Sequence, residues 1–134
     1  MPDWIHSTIQ YLILLQFAAT TGDRLFPRPE LRVRIAPDVY RIPDISVVTQ
    51  PPEGRVPDSP PLIVIEILSK DDRHSDLMQK LEECLAWGVP NIWVIDPATR
   101  RFSIYSERGL QNVSSFSLAG YPFQLIPSDL FSRL

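Results

Sequence analysis

Apolar and polar positions along this chain alternate between a helical and an extended rhythm. Across residues 4 to 20, Ile5, Ile9, Leu12 and Ile13 recur at helical spacing and Gly22 lies just beyond, which predicts a helix. Leu14 and Leu15 widen its apolar arc, so it is expected to be buried on more than one side. From Glu30 to Ile35 the period drops to two: Leu31, Val33 and Ile35 point one way, Arg32 and Arg34 the other. That predicts a half-buried strand with a basic face. Tyr40 to Val48 predicts a second strand, and Pro43 within it implies an edge, a bulge or a strand start. Residues 49 to 61 hold five prolines and one glycine and are expected to form a loop.

Pro61 to Leu68 then reads as a central strand, apolar on both faces apart from Glu66. Asp71 and Ser75 are candidate N-caps for a helix running to about Trp87, with Gly88 and Pro90 as its stop. Asn91 to Asp96 predicts another apolar strand. Arg101 to Ser106 and Val113 to Leu118 alternate and are expected to pair as a hairpin through a turn around Gly109. Residues 128 to 134 predict a short terminal helical turn. Strand, helix, strand with a buried first strand implies a parallel pair, and the earlier, closely spaced strands imply antiparallel pairing. The fold class expected is α/β (α+β): a mixed sheet flanked by helices.

Length and composition narrow the picture. At 134 residues and 44% hydrophobic content the chain is expected to form one domain, 1–134. A net charge of −3 argues against holding nucleic acid by bulk charge, although a nuclease needs only a local basic path and a cation. The single cysteine, Cys84, excludes an intrachain disulfide and a cysteine-rich zinc site, and fits a reducing cytoplasm. Tyr11 to Ala19, the longest apolar run, is too short to span a bilayer, and Asp3 rather than a basic residue precedes it. A cytoplasmic protein with no membrane partner is expected.

Glu66 is the position that suggests chemistry. A carboxylate in a central strand costs several kcal/mol unless a cation or donors meet it. Asp44 follows Pro43 beside a strand 22 positions earlier, and Lys80 lies on the next helix, at the edge of its apolar arc. Two acids and a lysine around a sheet are the parts of a metal-dependent phosphodiesterase site. The plainer alternatives are a buried salt bridge from Glu66 to Arg32, Arg34 or Lys80, and a lysine that lays its stem over the core. His6 and His74 are too scattered for a histidine-rich metal site, and neither a phosphate-binding glycine loop nor a serine nucleophile elbow occurs. What remains is an oxygen-ligand site for a hard cation, most naturally Mg²⁺, with Mn²⁺ as a substitute.

Tyr40 to Val48 with its Pro43-Asp44, Pro61 to Ser69 with Glu66-Ile67-Leu68, Asp76, Lys80, and Gly88 to Pro97 together resemble the Uma-two family of putative restriction endonucleases. That family lies within the PD-(D/E)XK nuclease superfamily. The resemblance implies a restriction-endonuclease-like core and DNA as partner. It implies Asp44 and Glu66 as metal ligands, with the Ile67 carbonyl as a backbone ligand. Leu68 stands where the superfamily's lysine is expected, so Lys80 is the implied catalytic lysine and Lys70 a weaker substitute. Arg32, Arg34, Arg41, Lys70 and Arg73 are the expected phosphate contacts. Relatives usually begin with a further acidic segment that has no counterpart here, so the domain reads as shortened at its N-terminus. A catalytically impaired binding or structural module, or a hydrolase of other phosphodiesters, is therefore carried beside the nuclease reading. A homodimer is expected, since the apolar first helix offers surface to cover and two sites cut two strands.

Overall fold

A computed structural model describes residues 3–134. Helix α1 spans Trp4–Thr21; Asp3 caps it, its Oδ1 accepting from the His6 N–H at 2.9 Å, and Gly22 ends it. Strands β1 (Phe26–Pro29), β2 (Val33–Ala36), β3 (Val39–Arg41), β4 (Ile45–Val48) and β5 (Ile63–Ile67) follow. Helix α2 spans His74–Trp87, then come β6 (Asn91–Asp96), β7 (Arg101–Ser106), β8 (Gly109–Val113), β9 (Phe116–Ser117), β10 (Gln124–Leu125) and α3 (Pro127–Phe131). Among the described residues, no helix is long and apolar enough to cross a membrane.

Six strands form the main sheet in the order β1-β4-β5-β6-β7-β8. Only β5 and β6 run parallel, joined through α2; the other neighbours are antiparallel, so the sheet is mixed as the pattern predicts. All five residues of β5 are buried, as a strand covered on both faces requires. Alternation splits the core in two. Ile45, Ile63, Ile65, Ile67, Trp93 and Ile95 pack with α1 and α3 on one face. Val64, Ile92 and Val94 pack with Leu77 and Leu81 of α2 on the other. The first layer is bound together by aromatic stacking: Phe17 on Phe123 at 4.0 Å, Trp93 on Phe116 at 4.5 Å and Phe102 on Phe116 at 4.3 Å.

Several boundaries differ from the sequence expectation, each for a local reason. The Tyr40–Val48 segment is two strands: β3 pairs with β2 in a small separate hairpin, and β4 enters the main sheet after Pro43. The late hairpin pairs β7 with Gly109–Val113, its turn falling before Gly109 (φ 87°), while Phe116–Ser117 pairs instead with Gln124–Leu125. Neither Asp71 nor Ser75 caps α2; the N-cap is Arg73, without a side-chain cap bond. β1 was not expected, because its sequence is Phe-Pro-Arg-Pro, yet it forms the edge beside β4. Glu30 N–H donates to the Asp44 carbonyl at 3.0 Å. Even-numbered backbone groups of β1 therefore face β4, and both prolines face outward.

Candidate active site

The last register pair between β4 and β5 is Ile45 with Ile65. Asp44 lies one residue before β4 begins, so the edge of β5 at Ile67 meets its carboxylate instead of a strand. Ile67 N–H donates to Asp44 Oδ2 at 2.7 Å. Asp44 Oδ1 lies 3.1 Å from Nε2 of His6. The Asp44 carbonyl accepts from Gln10 Nε2 at 2.9 Å as well as from Glu30 N–H. Asp44 is thus held by its side chain and its main chain together.

Glu66, 8% exposed, faces the α2 side of β5. Its carboxyl group lies within hydrogen-bonding reach of Asp44. Burial, then the Asp44 charge and that hydrogen bond, push the Glu66 carboxyl well above the ordinary carboxylate range, and the Lys80 charge offsets part of the rise. No ion pair reaches Glu66 among the described residues. Lys80 itself is exposed, so the alternative of a buried bridge from Glu66 to Arg32, Arg34 or Lys80 is not realised.

Asp44, Glu66, Ile67, Arg73 and Lys80 line one cleft of about 340 Å³, together with His6. The other sequence-predicted contacts lie elsewhere. Lys70 lines a neighbouring groove beside Asp96. Arg41 is held by Glu83 through two bonds of 2.6 and 2.8 Å, which raise the guanidinium's proton affinity and lower that of the Glu83 carboxyl. Arg32 lies over the Tyr40 ring at 5.0 Å, and Arg34 is 3.9 Å from Asp58, both exposed. These three arginines belong to the β2–β3 hairpin or adjoin it. Burial, then the Glu66 charge, pushes the Cys84 thiol up to about 12, which disfavours the thiolate form.

The residues the sequence reading missed are His6 and Gln10, four apart on the inner face of α1 and both buried. The available signal was two polar residues in line with Ile13 and Phe17 on a face otherwise apolar.

Among the described residues, no three His, Cys, Asp or Glu side chains gather as a ready ligand set. Two adjoining carboxylates in a cleft, with Asp44 still 21% exposed, fit a hard cation that keeps most of its water; Mg²⁺ is held in this way and Zn²⁺ is not. The cleft wall also carries Asp71, Asp72 and Asp76, five acids against Arg73 and Lys80. An anion entering alone meets an excess of negative charge, and a bound dication reduces that excess.

The sequence profile of the family described as "Uma2: Putative restriction endonuclease" matches residues 1–127. A crystal structure from Anabaena variabilis ATCC 29413, titled a putative nuclease belonging to DUF820, superposes with a TM-score of 0.85 at 24% identity. It covers 98% of this chain and 83% of that one, and this likeness shows the fold. The cryo-EM structure of a DrdV–DNA complex overlaps at a TM-score of 0.46 and 19% identity, covering 75% of this chain and 9% of that one. No curated protein matches the chain.

Proposed function

The chain belongs to the Uma2 family of putative restriction endonucleases, and from that premise we propose that it is a metal-dependent endonuclease hydrolysing phosphodiester bonds of DNA. The observation that supports this most is the meeting of Asp44 and Glu66 where β4 begins and β5 ends, with Lys80 in the same cleft. Asp44 and Glu66 are the residues that would hold Mg²⁺ or Mn²⁺, with Ile67 beside them. A divalent ion there supplies Lewis-acid polarisation of a phosphodiester and a more acidic water.

This chain's own residues do the rest. Burial and Asp44 favour the protonated form of Glu66; with a divalent cation held there, that proton would pass to solvent water and the carboxylate would serve as a ligand. Lys80 orients the attacking water and offsets charge developing on the phosphate, a preorganised electrostatic role. Arg73, on the cleft wall, holds a neighbouring phosphate; such contacts position DNA without reading its sequence. Arg32 and Arg34, exposed at the β2–β3 hairpin outside the cleft, are further candidate phosphate contacts. Arg41 contributes less, because Glu83 already holds it.

The absence of a three-residue ligand set among the described residues favours a second reading, a nuclease-fold module that binds without turnover. Mn²⁺ affinity and plasmid cleavage separate the two readings. The nuclease reading expects Glu66→Gln to weaken Mn²⁺ binding. It expects Lys80→Met to keep that binding while cleavage falls by roughly 10²–10³-fold, as for other preorganised donors. A parent protein that neither binds Mn²⁺ nor cuts DNA leaves the binding module as the answer.

A further inference from the structure

We infer that His6 is a positioning residue for this site: with Gln10 it clamps Asp44 from α1 so that the carboxylate is preset to receive a divalent cation. The inference rests on the two-carboxylate metal site proposed above.

The geometry carries it. His6 and Gln10 stand one helical turn apart and reach the same residue across the fold. His6 Nε2 meets Asp44 Oδ1 at 3.1 Å, and Gln10 Nε2 meets the Asp44 carbonyl at 2.9 Å. Ile67 N–H donates to Oδ2 at 2.7 Å, so each carboxylate oxygen has a close contact and the group cannot rotate freely. Its remaining lone pairs are left for Glu66 and the cleft. A ligand fixed before binding loses less freedom on binding, and hydrogen bonds to ligating carboxylates tune metal affinity.

His6 is a poor choice on structural grounds alone. It is 5% exposed, and its Nδ1 is buried with no hydrogen-bond partner. A buried polar atom without a partner costs stability, and an apolar side chain beside Ile9 and Ile13 avoids that cost. The ring earns its place through Asp44.

The test compares the parent with His6→Leu and His6→Gln, reading Mn²⁺ affinity by calorimetry and melting temperature without metal. Glu66→Gln serves as the control for the site itself. His6→Leu is expected to melt no lower than the parent yet to bind Mn²⁺ about 10–100-fold more weakly. His6→Gln, which can place an amide donor near the Nε2 position, is expected to recover most of the affinity. A His6→Leu protein that binds as tightly as the parent, while Glu66→Gln does not bind, overturns the positioning role and leaves the metal site standing. A folded His6→Gln as weak as His6→Leu overturns it too, since a donor is then insufficient. A parent that binds no Mn²⁺ overturns the metal site and the inference together.

Discussion

Glu66 is in tension with its surroundings: it is a carboxyl group buried beside Asp44. Because burial and Asp44 raise its proton affinity in the folded chain, protons favour folding. That contribution is whole below the ordinary value of 4.5 and is lost as pH rises through the raised folded value. In EDTA, the parent is therefore expected to lose stability across that window, and Glu66→Gln to lose less. Above the ordinary carboxylate range the variant should melt higher than the parent, and near pH 4 the two should converge. Thermal melts at a series of pH values check this; parallel curves at every pH would show that Glu66 carries no such strain. Asp44 and Glu66 were legible in the sequence because a charge beside or within an apolar strand stands out. His6 was not legible, since a lone histidine on a helix gives no hint of a partner 38 positions away.

At the scale of elements, the turn after α2 is a sharp test of backbone chemistry. Gly88 has φ 104°, and its N–H donates to the carbonyls of Cys84 and Leu85. An added Cβ would meet only Pro60 Cγ at 3.7 Å, an ordinary contact, so the cost of Gly88→Ala is conformational. We expect a loss of about 1–2 kcal/mol from the left-handed backbone. Gly54→Ala, with nothing within 4 Å and no positive φ, is expected to stay within about 0.5 kcal/mol. Urea titration reads both as a shift in midpoint at constant slope. The elements that sequence rhythm revealed were those with strong periodicity or uniform burial: α1, β5, α2 and β6. It failed where pairing is decided at a distance. Phe116 joins the aromatic stack with Trp93 and Phe102 and pairs with Leu125, so it leaves the hairpin that its alternation suggested. β1 was hidden because proline argues against a strand except at an edge, which is where it lies.

For the molecule as a whole, the outer face of α1 asks for a partner. Trp4 is 83% exposed, Tyr11 59% and Leu15 42%, on a helix with no Asp, Glu, Lys or Arg. An uncharged apolar stripe can meet its own copy about a twofold axis without like-charge repulsion, so we propose a homodimer through α1. Light scattering should give about twice 15.3 kDa at micromolar concentration, falling toward one chain in Trp4→Ser/Tyr11→Lys. A parent that stays at 15.3 kDa removes the proposal. The prolines of β1 bear on which other assemblies remain open. Pro27 and Pro29 turn their nitrogens outward along one border of the main sheet, and neither carries an N–H. A strand arriving from another molecule finds carbonyls there but no donors at those two positions, so it cannot complete a ladder. That border therefore resists strand-by-strand growth of the sheet into fibres through what its backbone lacks, with Arg28 between the two prolines as the one charge on the strand.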